Sequence, residues 1–354
     1  MFWNTPFVPI SPAFSAPDNS GNGGIPEVKD AAAALLSGER KEGSPKLPER
    51  YTHVHSGKVR ETYQHPDDPE SLIMVATDRI STHDVIHDGL IPGKGKALTA
   101  MANYWFEYFS GHETTKDIPN QLSSTPLPDD FPQEWREQTV VVKKLRALPI
   151  EAIVRGYLYG SALKGYDSET GKLATGEEVG KWLQKCSKFD TPLFTPSTKS
   201  DSGDVNVNFE TMLQNLQQWL IENGYNNIDA KSLAEQIQDY SLRMYQVANE
   251  HAQEKWLILG DTKFEFGLDA QGNLVVIDEV CTADSSRLWE AQSVTPGDEP
   301  VAKDKQPVRD YVADYWKEHP ERDKKPVKII PMVADATAKR YTEISALFSL
   351  PKAA

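Results

Sequence analysis

Apolar and polar residues alternate most regularly between residues 256 and 279. Residues 256–259 form an apolar run. From Asp261 onward, Asp261, Lys263 and Glu265 fall on one side, and Thr262, Phe264 and Phe266 on the other. That is the period of a half-buried strand. The stretch DAQGN at 269–273 is turn chemistry, and 274–277 reads as a second buried strand that runs into Asp278 and Glu279. Upstream, residues 51–63 read as strand, glycine, strand about Gly57. Residues 72–77, 139–145 and 149–154 read as buried strands. Residues 230–254 read as a long helix, because Leu233, Ile237, Tyr240, Met244 and Val247 recur at helical steps. Shorter helices are expected at 98–109, at 307–316 with a proline at its start, and at 336–348. Residues 1–48 are rich in Ser, Pro and Gly and read as a tail, with at most a short helix at 28–36.

Candidate chemistry sits at the ends of these elements. If the 256–279 hairpin turns at 270–273, Glu265 stands opposite Asp278, with Cβ atoms roughly 5 Å apart. Facing carboxylates need neutralising, and a hard divalent cation such as Mg2+ would do so. The competing reading is a solvated strand face with an ordinary ion pair to Lys263. The polar segment 282–289 that follows holds Asp284, Ser285, Ser286 and Arg287 in a short loop after a buried strand, a common location for sites. Gly57 is flanked by Lys58 and Arg60, which could neutralise a phosphate approaching the turn; an ordinary hairpin with surface cations fits equally. His53 and His55 read as surface residues. Strand 72–77 ends in a polar cluster that includes Ser81, His83 and Asp84. Arg155, at the end of strand 149–154, precedes Gly156, Gly160 and Ser161, with Ser161 placed to cap a helix. Residues 164–188 read as exposed, and FTPSTK at 194–199 is a hydroxyl-rich loop with one lysine. Two glycine-rich stretches do not qualify as phosphate loops. Residues 21–24 lack a preceding strand and a following helix. In 89–96, three residues rather than four separate Gly89 from Gly93, and Gly95 stands where Ser or Thr is needed.

Composition narrows the class. A chain of 354 residues, 39% hydrophobic and 25% charged, has the make-up of a soluble globular protein of one large or two smaller domains. The net charge of −14 argues against nucleic-acid or membrane-surface binding, while leaving room for a local basic pocket. Two distant cysteines, Cys186 and Cys281, give neither a disulfide framework nor a CxxC metal site, and they suit a reducing, cytoplasmic setting. No apolar run is long enough for a membrane span, and no secretory signal pattern opens the chain.

Taken together, several blocks resemble the SAICAR synthetase (phosphoribosylaminoimidazole-succinocarboxamide synthase) family. They are GKVRE at 57–61, ATDRIS at 76–81, IPGKG at 91–95, PIEAIVRGY at 149–157 with Gly160 and Ser161, FTPSTK at 194–199, DTKFEFG at 261–267, and Asp278-Glu279 with DSSRLW at 284–289. The similarity spans roughly residues 51–341. The chain departs from the family pattern at Ala283, where proline is usual, at His83, and after Lys199, where an acidic run lacks the usual histidine.

The resemblance implies an α+β fold. A small N-terminal antiparallel-sheet domain at 49–145, similar to a kinase N-lobe, covers ATP, and a larger mixed domain at 146–354 carries the second substrate. It implies that ATP, L-aspartate and carboxyaminoimidazole ribonucleotide (CAIR) give ADP, phosphate and the succinocarboxamide (SAICAR), through an acyl phosphate. The roles it implies are Gly57, Lys58 and Arg60 at the ATP phosphates, and Lys143, Lys144 and Leu145 at adenine. Lys263 would lie near the nucleotide, with Glu265 and Asp278 on Mg2+. Arg155, Ser161, Lys199, Arg287 and Arg309 would surround the ribonucleotide, with Asp284 and Ser286 in the same loop. Ser81 and Asp84 would lie on the imidazole and aspartate side. Two alternatives keep part of this chemistry: a kinase-like small-molecule phosphotransferase, and a non-catalytic nucleotide-binding protein. The chain has no HRD or DFG block of protein kinases. Oligomeric state is left open.

Overall fold

The computed structural model describes residues 41–199 and 205–349. Short alternating segments at its start become strands β1 (His53–Ser56), β2 (Arg60–Gln64) and β3 (Ser71–Ala76), with Glu61 and Tyr63 of β2 and Ser71, Ile73, Val75 and Ala76 of β3 buried. A two-stranded hairpin follows, β4 (Arg79–Thr82) and β5 (Val85–Leu90), and then helix α1 (Lys94–Gly111). Strand β6 (Thr139–Lys143) closes a four-stranded antiparallel sheet in the order β1-β2-β3-β6. Its core is Tyr51, Tyr63, Ile73, Val75 and Phe131. Residues 41–48 lie against this sheet: Ser44 donates to Glu61 at 2.7 Å, and Leu47 joins the apolar cluster.

The second sheet has seven strands. They are β7 (Arg146–Ala147), β8 (Ile150–Tyr157), β9 (Lys188–Phe194), β10 (Ser197–Thr198), β11 (Leu257–Leu268), β12 (Leu274–Ile277) and β13 (Ser286–Glu290). All pairings in both sheets are antiparallel. β11 is the hub. Its first half pairs with β13 on one edge and β8 on the other, and its second half pairs with β12 and β7. Paired on both edges, it is buried along nearly all of its 12 residues. The bulge at Gly260 has a packing reason: a Cβ there would lie 2.3 Å from the Trp289 ring.

Besides α1, four longer helices are seen among the described residues, with a short turn of helix between β8 and β9, α2 (Gly160–Lys164). α3 (Phe209–Glu222) and α4 (Ala230–Gln253) are N-capped by Asn208 and Asp229, each accepting a backbone N–H at 2.8 Å. The expected stripe Leu233, Ile237, Tyr240, Met244 and Val247 is buried throughout. α5 (Gln306–Glu318) carries Pro307 in its first turn. α6 (Pro331–Leu347) starts five residues before the expected 336, because Pro331 fits the first turn of a helix.

The α+β expectation holds. Several local readings change. The polar cluster after β3 is the β4–β5 hairpin, turned by His83 and Asp84 at φ 50° and 63°. Segment 282–289 is only in part a loop, since its second half is β13. Residues 164–188 are not wholly exposed: Leu173 joins Leu158, Ala162 and Phe189 in a small buried cluster. The expected tail features at 21–24 and 28–36, and the residues just after Lys199, lie outside the described residues. Among the described residues, no helix is long and apolar enough to cross a membrane.

Candidate active site

The turn between β1 and β2 closes with the Gly57 amide donating to the Arg60 carbonyl at 2.9 Å. Lys58 projects from it and pairs with Asp84 in the β4–β5 turn; both are partly exposed. Ser81 sits half-buried one turn away in β4. Arg60 reaches Asp278 and also Glu279, the latter at 3.1 Å. Burial opposes the Arg60 charge, but Asp278, Glu279 and Glu265 outweigh it and hold it firmly protonated. His53, expected on the surface, is partly buried and bonds Glu61 at 2.9 Å; His55 is exposed. At the end of β6, the amides of Lys143 and Lys144 donate to Gln121 and Glu70, both at 2.8 Å, and Leu145 follows half-buried. A cavity between the first sheet and α1 is lined by Met74, Ala76, Val140 and Phe106, with Arg60 and Asp278 also in its wall.

The hairpin register differs from the expected one. Glu265 pairs with Ile277, not Asp278, because the turn takes five residues rather than four. The Asp269 carboxylate accepts the amides of Gln271 and Asn273, which lengthens the loop and shifts the partner strand by one. Asp278 lies past the last paired residue, in left-handed backbone at φ 65°. Gln121 holds it there, accepting the Asp278 N–H at 2.9 Å and donating to its carbonyl at 2.7 Å.

Glu265 remains central. Its two oxygens meet Lys263 and Lys199, and Lys263 also meets Glu151 at 2.9 Å. Burial works to raise the Glu265 pKa, but Lys263 and Lys199 prevail and hold it at about 2. Burial likewise works against the Lys263 charge, and Glu265, Glu151 and Asp278 overcome it. Glu151, Glu265, Asp278 and Glu279 thus share three cations: Lys199, Lys263 and Arg60. This excess of hard carboxylate oxygens suits Mg2+. Among the described residues no cluster of three or more metal-type ligands is preassembled. Phosphate oxygens would therefore have to complete such a shell, which is how Mg2+ usually binds beside nucleotides.

The arginines gather at the other end of the same strand face. Arg155 is inside β8, not at its end, and is buried. It donates to Thr195 at 2.8 Å, Asp261 at 3.2 Å and Ser161 at 3.0 Å. Ser161 therefore does not cap the α2 helix; Tyr159 occupies the cap position without a side-chain bond. Arg287 shares Asp261 and lies 5.2 Å over the Tyr159 ring. Its path needs Gly160, where φ is +60° and a Cβ would come within 2.7 Å of the guanidinium. Arg309 pairs with Asp304 at 3.1 Å. Asp284 is buried with both oxygens taken inside the protein, by Lys94 at 2.8 Å and by Tyr341, and Lys305 stands 3.8 Å away. Ser286 is buried against Thr262 at 2.8 Å, so its hydroxyl serves the sheet.

Electrostatics separate these groups. Burial would raise Asp261 and Asp284, but Arg287 and Arg155 lower the first, and Lys305 and Lys94 lower the second. Burial raises Asp304 despite Arg309 and Arg287. Burial lowers Lys305 to about 8, with Arg309 and Lys94 adding to the effect against the pull of Asp284. Five cations, Arg155, Arg287, Arg309, Lys94 and Lys305, face three carboxylates, Asp261, Asp284 and Asp304. A cluster this rich in guanidinium and ammonium donors suits a phosphate group.

The structure thus brings together Lys199, Lys263, Glu265, Asp278 and Arg60 in one set, and Arg155, Ser161, Arg287 and Arg309 in another. Lys58 and Asp84 form a separate pair. Gln121, Glu151, Asp261, Lys94, Asp304 and Lys305 have structural parts in these sets that sequence reasoning did not assign. Asp261 carried a signal in its place on the Lys263–Glu265 face, and Lys94 and Glu151 lie in the family-like blocks at 91–95 and 149–157.

Comparison with known proteins identifies the family. The family model described as SAICAR synthetase matches residues 53–325. The phosphoribosylaminoimidazole-succinocarboxamide synthase of Corynebacterium urealyticum is 41% identical over 297 residues, covering 83% of this chain and 92% of the relative. That of Mycolicibacterium vanbaalenii is 40% identical over 298 residues, with the same coverage. A Saccharomyces cerevisiae SAICAR synthase solved with SAICAR superimposes with a TM-score of 0.69 at 30% identity, covering 86% of this chain and 97% of the yeast one. On its sequence blocks, its fold and these relatives, the chain belongs to the SAICAR synthetase family.

Proposed function

We propose that this ligase of purine biosynthesis joins CAIR to L-aspartate at the expense of ATP, in the cleft where the first sheet meets β11. The observation that carries the reading is the shared face of β11. Asp261 with its arginines and Glu265 with its lysines are four residues apart on one strand, roughly 13 Å at strand rise. One ribonucleotide can span that distance, with its phosphate at the arginines and its carboxylate at the lysine and carboxylate set. The yeast relative was solved with SAICAR.

In this reading, Arg155, Arg287 and Arg309, with Ser161 and Lys305, bind the ribonucleotide phosphate. The Lys58–Val59 turn and Arg60 bind the ATP phosphates, and 143–145 with the neighbouring cavity take the base. Glu265 and Asp278, together with phosphate oxygens, would hold Mg2+, which would supply charge neutralisation for phosphoryl transfer. Lys263, kept protonated by Glu265 and Glu151, faces the developing negative charge and orients the acceptor carboxylate. A carboxylate oxygen of CAIR forms a bond to the γ-phosphorus as the bond to the ADP oxygen breaks. The aspartate amine then attacks the acyl carbon, phosphate leaves, and the nitrogen loses a proton. Asp84 and Ser81 face the aspartate side. Two free, buried thiols, Cys186 and Cys281, fit a cytoplasmic enzyme.

The route is tested with CAIR carrying a heavy-oxygen label in its carboxylate. An acyl phosphate transfers one labelled oxygen to the released inorganic phosphate. Unlabelled phosphate contradicts it.

A further inference from the structure

The Gly57 turn is held from beneath by two cations. Arg79, 2% exposed, sends Nε to the Lys58 carbonyl at 3.0 Å, and Nη2 to the Gly57 and Arg60 carbonyls at 3.4 and 3.3 Å. Lys41 adds bonds to the Gly57 carbonyl at 2.9 Å and the Ser56 carbonyl at 3.3 Å. Arg79 is itself fixed by Ser44 and by Glu61, both at 2.8 Å. Glu61 is buried and also accepts from Ser44, Ser56 and His53. An arginine with five donors and a fixed plane is thereby spent on orienting one turn.

The consequence follows from peptide geometry. In a trans peptide the carbonyl of one residue and the N–H of the next point in opposite directions. Among the described residues no peptide bond is cis. With the Gly57 and Lys58 carbonyls turned down onto Arg79, the N–H groups of Lys58 and Val59 point up, side by side. Successive amides aimed the same way make an anion cradle. We propose that Arg79 is a positioning residue for nucleotide binding: it touches no substrate, but sets the Gly57 and Lys58 peptides so that the Lys58 and Val59 amides receive the terminal phosphates of ATP. This rests on the ATP reading above and adds the residue that shapes the phosphate contact.

The test compares ligands that do and do not carry those phosphates, on the full chain. Arg79→Lys retains a charge for Glu61 but loses the planar fork. It is expected to weaken ADP and ATP binding roughly tenfold or more, the scale of one charge-assisted hydrogen bond, while adenosine binding changes less than about twofold. A second measurement uses wild-type protein and so does not depend on the variant folding. Hydrogen exchange at the Lys58 and Val59 amides should slow on adding ADP and not on adding adenosine. Equal weakening for adenosine and ADP, unchanged ADP affinity in a folded variant, or no ADP-dependent protection at these two amides would each overturn the proposal. If wild-type protein binds neither ADP nor ATP, the ATP reading itself falls, a result separate from the other three.

Discussion

The side chain of Gln121 is hydrogen-bonded to both main-chain polar groups of Asp278, accepting its N–H at 2.9 Å and donating to its carbonyl at 2.7 Å. Asp278 is left-handed, a conformation that a non-glycine residue keeps only when its surroundings impose it. The pairing directs the Asp278 carboxylate to Arg60 rather than into the β11–β12 ladder. Replacing Gln121 by Leu strips partners from both groups in a largely buried place. Stability should fall by about 1–3 kcal/mol, read from the urea midpoint. An unchanged midpoint would show that the clamp is dispensable.

Glu265→Gln should fold, since Lys263 retains Glu151, but turnover should drop at least about a hundredfold through loss of a metal and lysine partner. The same variant tests the acid limb of stability. Glu265 titrates at about 2 in the folded protein against an ordinary 4.5, so the unfolded chain binds more protons between those values. Its contribution is complete above about pH 5 and is lost as the pH falls toward 2. Wild type should therefore lose stability more steeply than Glu265→Gln between pH 5 and 3. Parallel slopes, or near-normal turnover, would count against the assigned role.

Lys305 supplies a pH signature at the opposite end of the range. Burial lowers its pKa to about 8, so a positive charge leaves the arginine cluster as the pH rises through that value. The KM for CAIR should climb above about pH 8, and Lys305→Met should raise it at neutral pH and flatten the climb. A flat wild-type profile from pH 7 to 9 would exclude Lys305 from phosphate binding.

Arg155→Ala should raise the KM for CAIR at least about tenfold and leave that for ATP within about twofold, because Arg155 bonds Asp261, Ser161 and Thr195 at the arginine end of β11. Arg287 still holds Asp261 in that variant. Equal effects on both substrates would contradict the division of the site.

Much of this was legible in the chain because local pattern and tertiary structure agree. The stripe on α4 and the alternation at Asp261, Lys263 and Glu265 are set by periodicity alone. The β11–β12 register was misjudged by one residue because a side chain, Asp269, decided the loop length. β13 looks like loop in the sequence because its polar residues, Ser286 and Arg287, point to partners on β11 and α2 that are distant in sequence. α3 carries Met212, Leu216 and Leu220 at helical spacing, a pattern legible in the sequence. Gln121 and Lys305 had none: each matters through a partner 157 or 21 residues away. The family resemblance supplied Arg155, Arg287 and Arg309 as a group, which spacing could not.

The most direct test of the account is ADP release by the purified protein with Mg-ATP and CAIR, with and without L-aspartate. The account predicts sustained release only when all three substrates are present, with SAICAR formed in equal amount. Sustained release without aspartate, or none in any mixture, would contradict it.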